Sequence, residues 1–447
     1  MQSRRFYFIS TWVPVLLFLG NGIFGQQIVL DGFENKNGWE MIQSDGVSLK
    51  LGNSEGLEGK AIRFDYDFSK GTGYGGFQKT FPIELPDNYE FSFYLKADSP
   101  SNNFEIKFID STGNNVWWVN NRNYDFPRQW KKIRIKKRHI EFAWGPSIDR
   151  VLRNVHKIEF TIASFAGGKG SVWIDDLRFE ALDPPIAKYP DPIITSTATL
   201  KKSYPKFMID GHLNTEWHSN NSKTQFIDID FLIKREFGGL YIQWVPGKSA
   251  HSFEILLSDD KKQWEKVYIV KNNLGEQSFI RLPEAEARYA RINFKSGNSR
   301  KGIGIRELSF LNTRESMTLN DFFRFIARHS PEGHYPRYFA GNASYWTISG
   351  VNNDSKEALI NEDGMIEAEK QRFSIEPFIR VGDEWFNWSN VNTTRSLGHS
   401  SDPDQFSFLP TVGWKCGNID FTVELTSGGQ ANTTSTAYIR YTLKNRG

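Results

Sequence analysis

The chain has 447 residues, of which 39% are hydrophobic, 24% charged and 15% aromatic, a balance that excludes intrinsic disorder. Lys plus Arg exceeds Asp plus Glu by only 55 to 52, too even for a protein that coats nucleic acid, and the single Cys416 excludes an intrachain disulfide or a cysteine-based zinc site. With 36 Phe, 16 Tyr and 14 Trp, strand-forming and core-filling residues dominate, which favours a mainly β fold.

Residues 1–25 read as a targeting segment. Arg4 and Arg5 give a positive start, Trp12 to Leu19 an apolar stretch, and Gly20, Gly22 and Gly25 small residues for cleavage. The stretch is too short for a membrane anchor, and no cysteine near the cleavage point offers a lipid anchor. The expected product is an exported, soluble monomer in a periplasm or medium, with no stable membrane anchor and no nucleic-acid partner.

From residue 26 to 183 apolar residues alternate with polar ones, as in Ile62, Phe64, Tyr66 and Phe68, in Tyr89, Phe91, Phe93 and Leu95, and in Phe104, Ile106 and Phe108. Period two marks half-buried strands. Gly71 to Gly76 spells a dinucleotide fingerprint but leads into Phe77-Gln78-Lys79-Thr80-Phe81-Pro82, which is no helix, so the phosphate-binding dipole is missing. Alternation sends one of Trp117 and Trp118 inward and the other outward. Trp118, Arg122, Tyr124 and Trp144 are candidates to line a ligand groove, with packing as the competing reading. Lys131, Lys132, Arg134, Lys136, Lys137 and Arg138 interleave with Ile133 and Ile135. If this basic strand borders the groove, it favours an anionic ligand.

Pro184, Pro185, Pro190 and Pro192 make 184–192 a stiff linker. The alternation resumes in 193–312, in Phe226 to Phe231, Leu240 to Trp244, Phe253 to Leu257 and Tyr289 to Phe294. Beyond it, in 313–447, Leu319, Phe322, Phe323 and Ile326 recur at helical spacing, with Thr318 to cap the start and Pro331 beyond the end. The pattern points to a string of antiparallel β-sandwiches with one short helix before the last. No Walker, HExxH or G-x-S-x-G motif occurs. Glu362-Asp363 and Asp383-Glu384 read as turn carboxylates, so no catalytic residue is assigned.

Several motifs carry family resemblances. Phe207-Met208-Ile209-Asp210-Gly211-His212-Leu213-Asn214-Thr215-Glu216-Trp217 resembles the turn of discoidin domains, also called coagulation factor 5/8 type C domains. Ile227-Asp228-Ile229-Asp230, Ser258 to Trp264, Ala287 to Arg291 and Gly304-Ile305-Arg306-Glu307-Leu308 continue it in order. The resemblance implies an eight-stranded jelly roll and, in exported bacterial proteins, a carbohydrate-binding module. Trp217 and Trp264 are expected in the core, with Trp244, His251 and Arg300 as loop candidates for the sugar. It also implies a structural calcium held by Asp210, Thr215 and Glu307, although His212 stands where Asp or Asn is common.

Asp31-Gly32-Phe33-Glu34, Val116-Trp117-Trp118, Phe142 to Pro146 and Trp173-Ile174-Asp175-Asp176-Leu177 resemble a galactose-binding-like jelly roll of polysaccharide-degrading proteins. That resemblance implies a second calcium, with Glu34 and Asp176 as ligands, against the alternative of solvated strand-end carboxylates. His334 to Phe339, Ser344 to Thr347, Leu359 to Gly364 and Phe373 to Phe378 resemble the N-terminal β-sandwich of six-hairpin glycosidase-like proteins. It implies cleaving carboxylates on a helical domain beyond residue 447. Together the resemblances imply two tandem jelly-roll β-sandwiches, a short helix and a third, incomplete β-sandwich. The expected function is polysaccharide binding without catalysis; the alternatives are the front part of a glycoside hydrolase or polysaccharide lyase, and a surface adhesion module.

Overall fold

The computed structural model describes residues 27–220, 225–273, 275–297, 302–353, 357–369, 373–398, 409–430 and 436–447. The expected leader at 1–25 and Arg300 lie outside the described residues. Close contacts divide the chain into two compact units, up to Lys188 and from Tyr189 onward.

The first unit is a jelly-roll sandwich of β1 (Gln27–Asp31), β2 (Glu40–Gln43), β3 (Ser48–Glu55), β4 (Lys60–Asp67), β5 (Tyr74–Glu84), β6 (Tyr89–Asp98), β7 (Asn102–Ile109), β8 (Val116–Tyr124), β9 (Lys131–Lys136), β10 (Glu141–Trp144), β11 (Asn154–Ala163) and β12 (Lys169–Ala181). One antiparallel sheet runs β3-β4-β12-β6-β9, with β1 also on β12; the other runs β10-β8-β7-β11-β5-β2. The alternating rows expected from the sequence meet between them. Phe64, Phe91 and Phe93 from the first sheet and Phe77, Phe104, Phe108 and Phe160 from the second are almost fully buried in one aromatic core. Alternation therefore presents the intervening polar residues on the two outer faces.

The second unit begins with β13 (Ile193–Ser196), β14 (Trp217–His218), β15 (Gln225–Trp244), β16 (Ala250–Ser258), β17 (Glu265–Val270), β18 (Gln277–Gly297) and β19 (Gly304–Leu311), in the order β14-β19-β15-β18-β16-β17 with β13 on β15. The paired strands β15 and β18 are 20 and 21 residues long and break register at 230–235 and 237–239. Such irregularities let long strands bend from one layer of a sandwich into the next. Gly239, at φ 145°, sits where a Cβ would strike the Ile280 carbonyl; only glycine permits that approach.

Helix α1 (Leu319–Arg328) starts as the sequence indicates, with the Thr318 hydroxyl accepting from the Asp321 amide at 3.1 Å. Its Phe325 packs on Tyr241, Phe279 and Leu311 of the preceding module. After it come β20 (Trp346–Ser349), β21 (Ala358–Asn361), β22 (Ile366–Glu369) and β23 (Phe373–Ile375), the hairpin β24 (Ile379–Val381) and β25 (Glu384–Phe386), and a sheet of β26 (Asn392–Gly398), β27 (Leu409–Cys416), β28 (Ile419–Gly428) and β29 (Thr436–Asn445). Ile360, Ile366, Trp414, Phe421 and the buried Cys416 form their shared core.

Candidate functional site

On the outer face of the β10-β8-β7-β11-β5-β2 sheet, cross-strand register lines up one residue from every strand. The row reads Glu141, Trp118, Lys107, Glu159, Gln78 and Glu40. At its centre Lys107 Nζ donates to Glu159 at 2.6 Å and to Thr161 at 3.5 Å, and pairs with Glu105 at 3.2 Å. Thr161 Oγ donates to the same Glu159 oxygen at 2.6 Å. Lys107, Glu105 and Glu159 are each at most 9% exposed, as buried charges must be when they are paired and bonded. An ammonium has three donors, and these three acceptors engage them.

Aromatic rings flank this polar centre. Tyr74 and Trp144 are 43% and 48% exposed, with ring centroids 5.6 and 5.9 Å from Lys107 Nζ. Trp118 meets Trp144 edge to face at 5.5 Å and 88°, which fixes both indoles. Asn120, next along β8 on the same face, carries a buried Oδ1 without a hydrogen-bond partner among the described residues. The arrangement offers flat apolar surfaces beside fixed acceptors, the combination that a sugar ring with polar edges needs.

Of the residues singled out for this groove, Trp118 and Trp144 come together as a pair and Arg122 is exposed further along β8. Tyr124 is a correction. It packs on Phe104 and Phe126 at 5.7 and 5.0 Å, and burial raises its phenol pKa. The cause is a register break opposite Asn102–Phe104, with Asn123 at φ 48°, which reverses the alternation and turns Tyr124 inward. Trp117 is the inward partner of Trp118, its Nε1 donating to the Arg150 carbonyl at 2.7 Å. The basic strand β9 lies in the other sheet, beyond β6, so it does not border this face. Tyr74, Lys107, Glu105 and Glu159 were not singled out; the alternation Phe104-Glu105-Ile106-Lys107-Phe108 already placed two of them outward.

In the 193–308 module the Asp210 turn folds on itself. Thr215 Oγ1 lies 2.9 Å from both Asp210 carboxylate oxygens and 2.8 Å from the His212 carbonyl. Glu307 on β19 accepts from the Gly211 amide at 3.2 Å. Burial, and then the neighbouring Asp210 charge, raise the Glu307 pKa. Asp210 and Thr215 thus share one turn with the His212 carbonyl, and Glu307 meets that turn from β19. This all-oxygen donor set suits a hard cation. Among the described residues no three His, Cys, Asp or Glu side chains converge on a metal-sized space, so any ion here relies on the hydroxyl and backbone carbonyls.

The sugar candidates of this module fare differently. Trp244 is another correction: it closes β15 instead of lying on a loop, is 1% exposed, and donates to Ser278 Oγ at 2.8 Å between Phe253 and Phe294. His251 lies half-buried on β16. Trp217 is fully buried. Trp264 is only half-buried on a turn, under the Arg291 guanidinium at 4.2 Å.

In the first unit Glu34 accepts from the Lys60 amide at 3.3 Å. Asp176, at φ 52°, spends its carboxylate on Arg178 Nε at 2.8 and 2.7 Å. Its buried neighbour Asp175, not Asp176, joins Glu34 at the 57–60 loop, through the Leu57 amide at 2.8 Å. In the last sandwich Asp363 is gripped by Arg337 at 2.9 and 2.8 Å, and Glu362 accepts from the Tyr345 amide at 2.7 Å, whereas Asp383 is exposed beside Arg380.

Residues 193–308 match the F5/8 type C domain family, and this segment is a discoidin domain. No curated protein matches the chain. Among solved structures the chain is similar to the family 11 carbohydrate-binding module of the cellulosomal cellulase Lic26A-Cel5E of Clostridium thermocellum, at 20% identity over 35% of this chain and 96% of that one, TM-score 0.31. It is also similar to chitosan-binding module 2, in complex with chitotriose, from a chitosanase/glucanase of Paenibacillus sp. IK-5, at 17% identity over 27% and 97%, TM-score 0.26. A third is CpGH89CBM32-5 from Clostridium perfringens, in complex with GalNAc-β-1,3-galactose, at 17% identity over 27% and 94%, TM-score 0.25.

Proposed function

We propose that this protein binds polysaccharide without cleaving it, and that the outer face of the β10-to-β2 sheet is the binding surface. The observation that carries this reading is the pair of half-exposed rings, Tyr74 and Trp144, set about the buried Lys107–Glu105–Glu159 network. Stacking on the rings supplies affinity, and the fixed carboxylates and Asn120 order the sugar hydroxyls. The Lys107 donors are already engaged and the basic strand belongs to the other sheet, which favours a neutral glycan over uronates or sulfated chains. Export places the protein where such polymers are found; the Arg4-Arg5 start and the apolar stretch after it support that setting.

We also propose that the Asp210 turn holds a structural calcium ion. Asp210, Thr215, the His212 carbonyl and Glu307 would bind it, and the ion would offset the repulsion between the two carboxylates. Its contribution is stability rather than chemistry.

The test of the binding surface is retention of the full chain on gel-embedded neutral polysaccharides. Trp144→Ala and Tyr74→Ala should each weaken retention by about 1–2 kcal/mol, roughly five- to thirty-fold in affinity, with unchanged melting curves. Folded variants that bind like the parent would overturn the reading.

A further inference from the structure

We infer a second glycan site, in the cleft where the discoidin sheet, the turn after α1 and the β24–β25 hairpin meet. The inference rests on reading the chain as a glycan binder, but uses none of the residues assigned to the first surface. The cleft encloses about 790 Å³, within the span of about 300–1,000 Å³ usual for small-ligand sites.

Its floor is Phe279, stacked on Tyr241 at 4.8 Å and 21°. Helix α1 covers Tyr241, which is 3% exposed, through Phe325, and leaves Phe279 half-open. Phe378 and Trp385, 40% and 55% exposed, line the cleft as well. Arg380 sits 5.8 Å from the Trp385 ring centroid and is itself bonded to Asp383 and the Gly382 carbonyl, so the indole is braced from one side. Tyr335 closes the end, its carbonyl fixed by Trp388 Nε1 at 2.7 Å.

Polar groups ring these apolar surfaces: the Gln277 amide and Glu276 at the start of β18, with Ser330 and His334 from the turn. This mixture of platform and hydrogen-bonding edge fits a pyranose. A purely apolar ligand would leave those groups unpaired, which is costly. Among the described residues neither Lys nor Arg lines the cleft, and Arg380 behind Trp385 is already engaged by Asp383, which favours a neutral sugar over an anionic one; the ligand class is a short neutral glycan. No motif in the sequence marks the site, because its residues come from three separate stretches.

The experiment is calorimetric titration of the full chain with cellotetraose, xylotetraose and mannotetraose, repeated on three variants. The Tyr74→Ala/Trp144→Ala double variant should lose the sheet-face site and keep a residual one. Adding Trp385→Ala, or separately Gln277→Ala, should weaken that residual binding at least five-fold while circular dichroism and melting stay unchanged. The amide substitution keeps the test alive if the hairpin does not tolerate loss of its indole. If the double variant binds nothing while the parent binds, the second site is wrong and the sheet-face reading stands. Residual binding indifferent to both Trp385 and Gln277 also rejects this cleft. If the parent binds none of the three sugars nor any neutral polysaccharide gel, both readings fail together.

Discussion

Glu376 is the residue whose surroundings most alter its chemistry. Its Oε2 is buried without a partner among the described residues, and burial, followed by the negative charge of Asp363, pushes its pKa up from 4.5 to about 7. The cation beside Asp363, Arg337, is already engaged with that carboxylate. The folded state therefore binds the Glu376 proton more tightly than the unfolded state does. Stability from this group is full below the unfolded value, falls as pH rises from about 4.5 to about 7, and is constant above. Glu376→Gln should flatten that slope and make the protein more stable at pH 8 by on the order of 2–3 kcal/mol, with little gain at pH 4. Urea melts of the two proteins at both pH values check this; equal midpoints at pH 8 would refute it. Trp244 and Trp144 make the complementary pair. Trp244→Ala should cost about 3–5 kcal/mol, because it opens a cavity and removes the indole N–H that the Ser278 hydroxyl accepts from. Trp144→Ala, at a half-exposed ring, should cost far less stability and act on ligand retention.

At the scale of elements, strands were readable and their partners were not. The inward set Phe104, Ile106 and Phe108 was plain from period two, and the structure buries all three. Helix α1 announced both its cap and its end. Three things escaped, each for a physical reason. The bulge near Asn123 reverses the alternation locally, so Tyr124 changed faces. Trp244 follows a strand pattern to its last residue, and nothing in the pattern tells a strand end from a loop start. Tyr74 and Lys107 belong to one surface only through the pairing of β5, β11 and β7, and register between distant strands is not written in any one of them. Packing of α1 makes its own prediction. Phe325 is 6% exposed and sits on Tyr241 and Phe279, so Phe325→Ala should destabilise by about 3–5 kcal/mol. Since Phe279 floors the inferred cleft, the same change should increase tryptic cleavage after Arg324 and Arg328. An unchanged digestion pattern would show that the helix is held by other contacts.

At the scale of the molecule, the two compact units give calcium a selective readout. Calorimetry of the full chain should resolve two transitions, one for each unit. Calcium at a thousand times its dissociation constant adds about 4 kcal/mol to whatever it binds only when folded. That should raise the transition of the discoidin-containing unit by on the order of 10 °C and leave the other in place. Asp210→Ala should abolish the shift. A calcium-induced shift in the other transition instead would move the ion to the Glu34 and Asp175 loop, and no shift in either would remove it from the protein.

The row Glu141, Trp118, Lys107, Glu159, Gln78 and Glu40 draws one side chain from each of six strands. Most of its neighbours are far apart along the chain, so the surface comes into being only when long-range pairing closes, the slow part of folding for a sandwich. A chain emerging from synthesis therefore completes this surface only late in folding. If the surface holds a glycan as proposed, a polymer laid along the row would touch every strand of the sheet and act as a splint across them, slowing their separation and making the loaded protein harder to pull apart than the empty one.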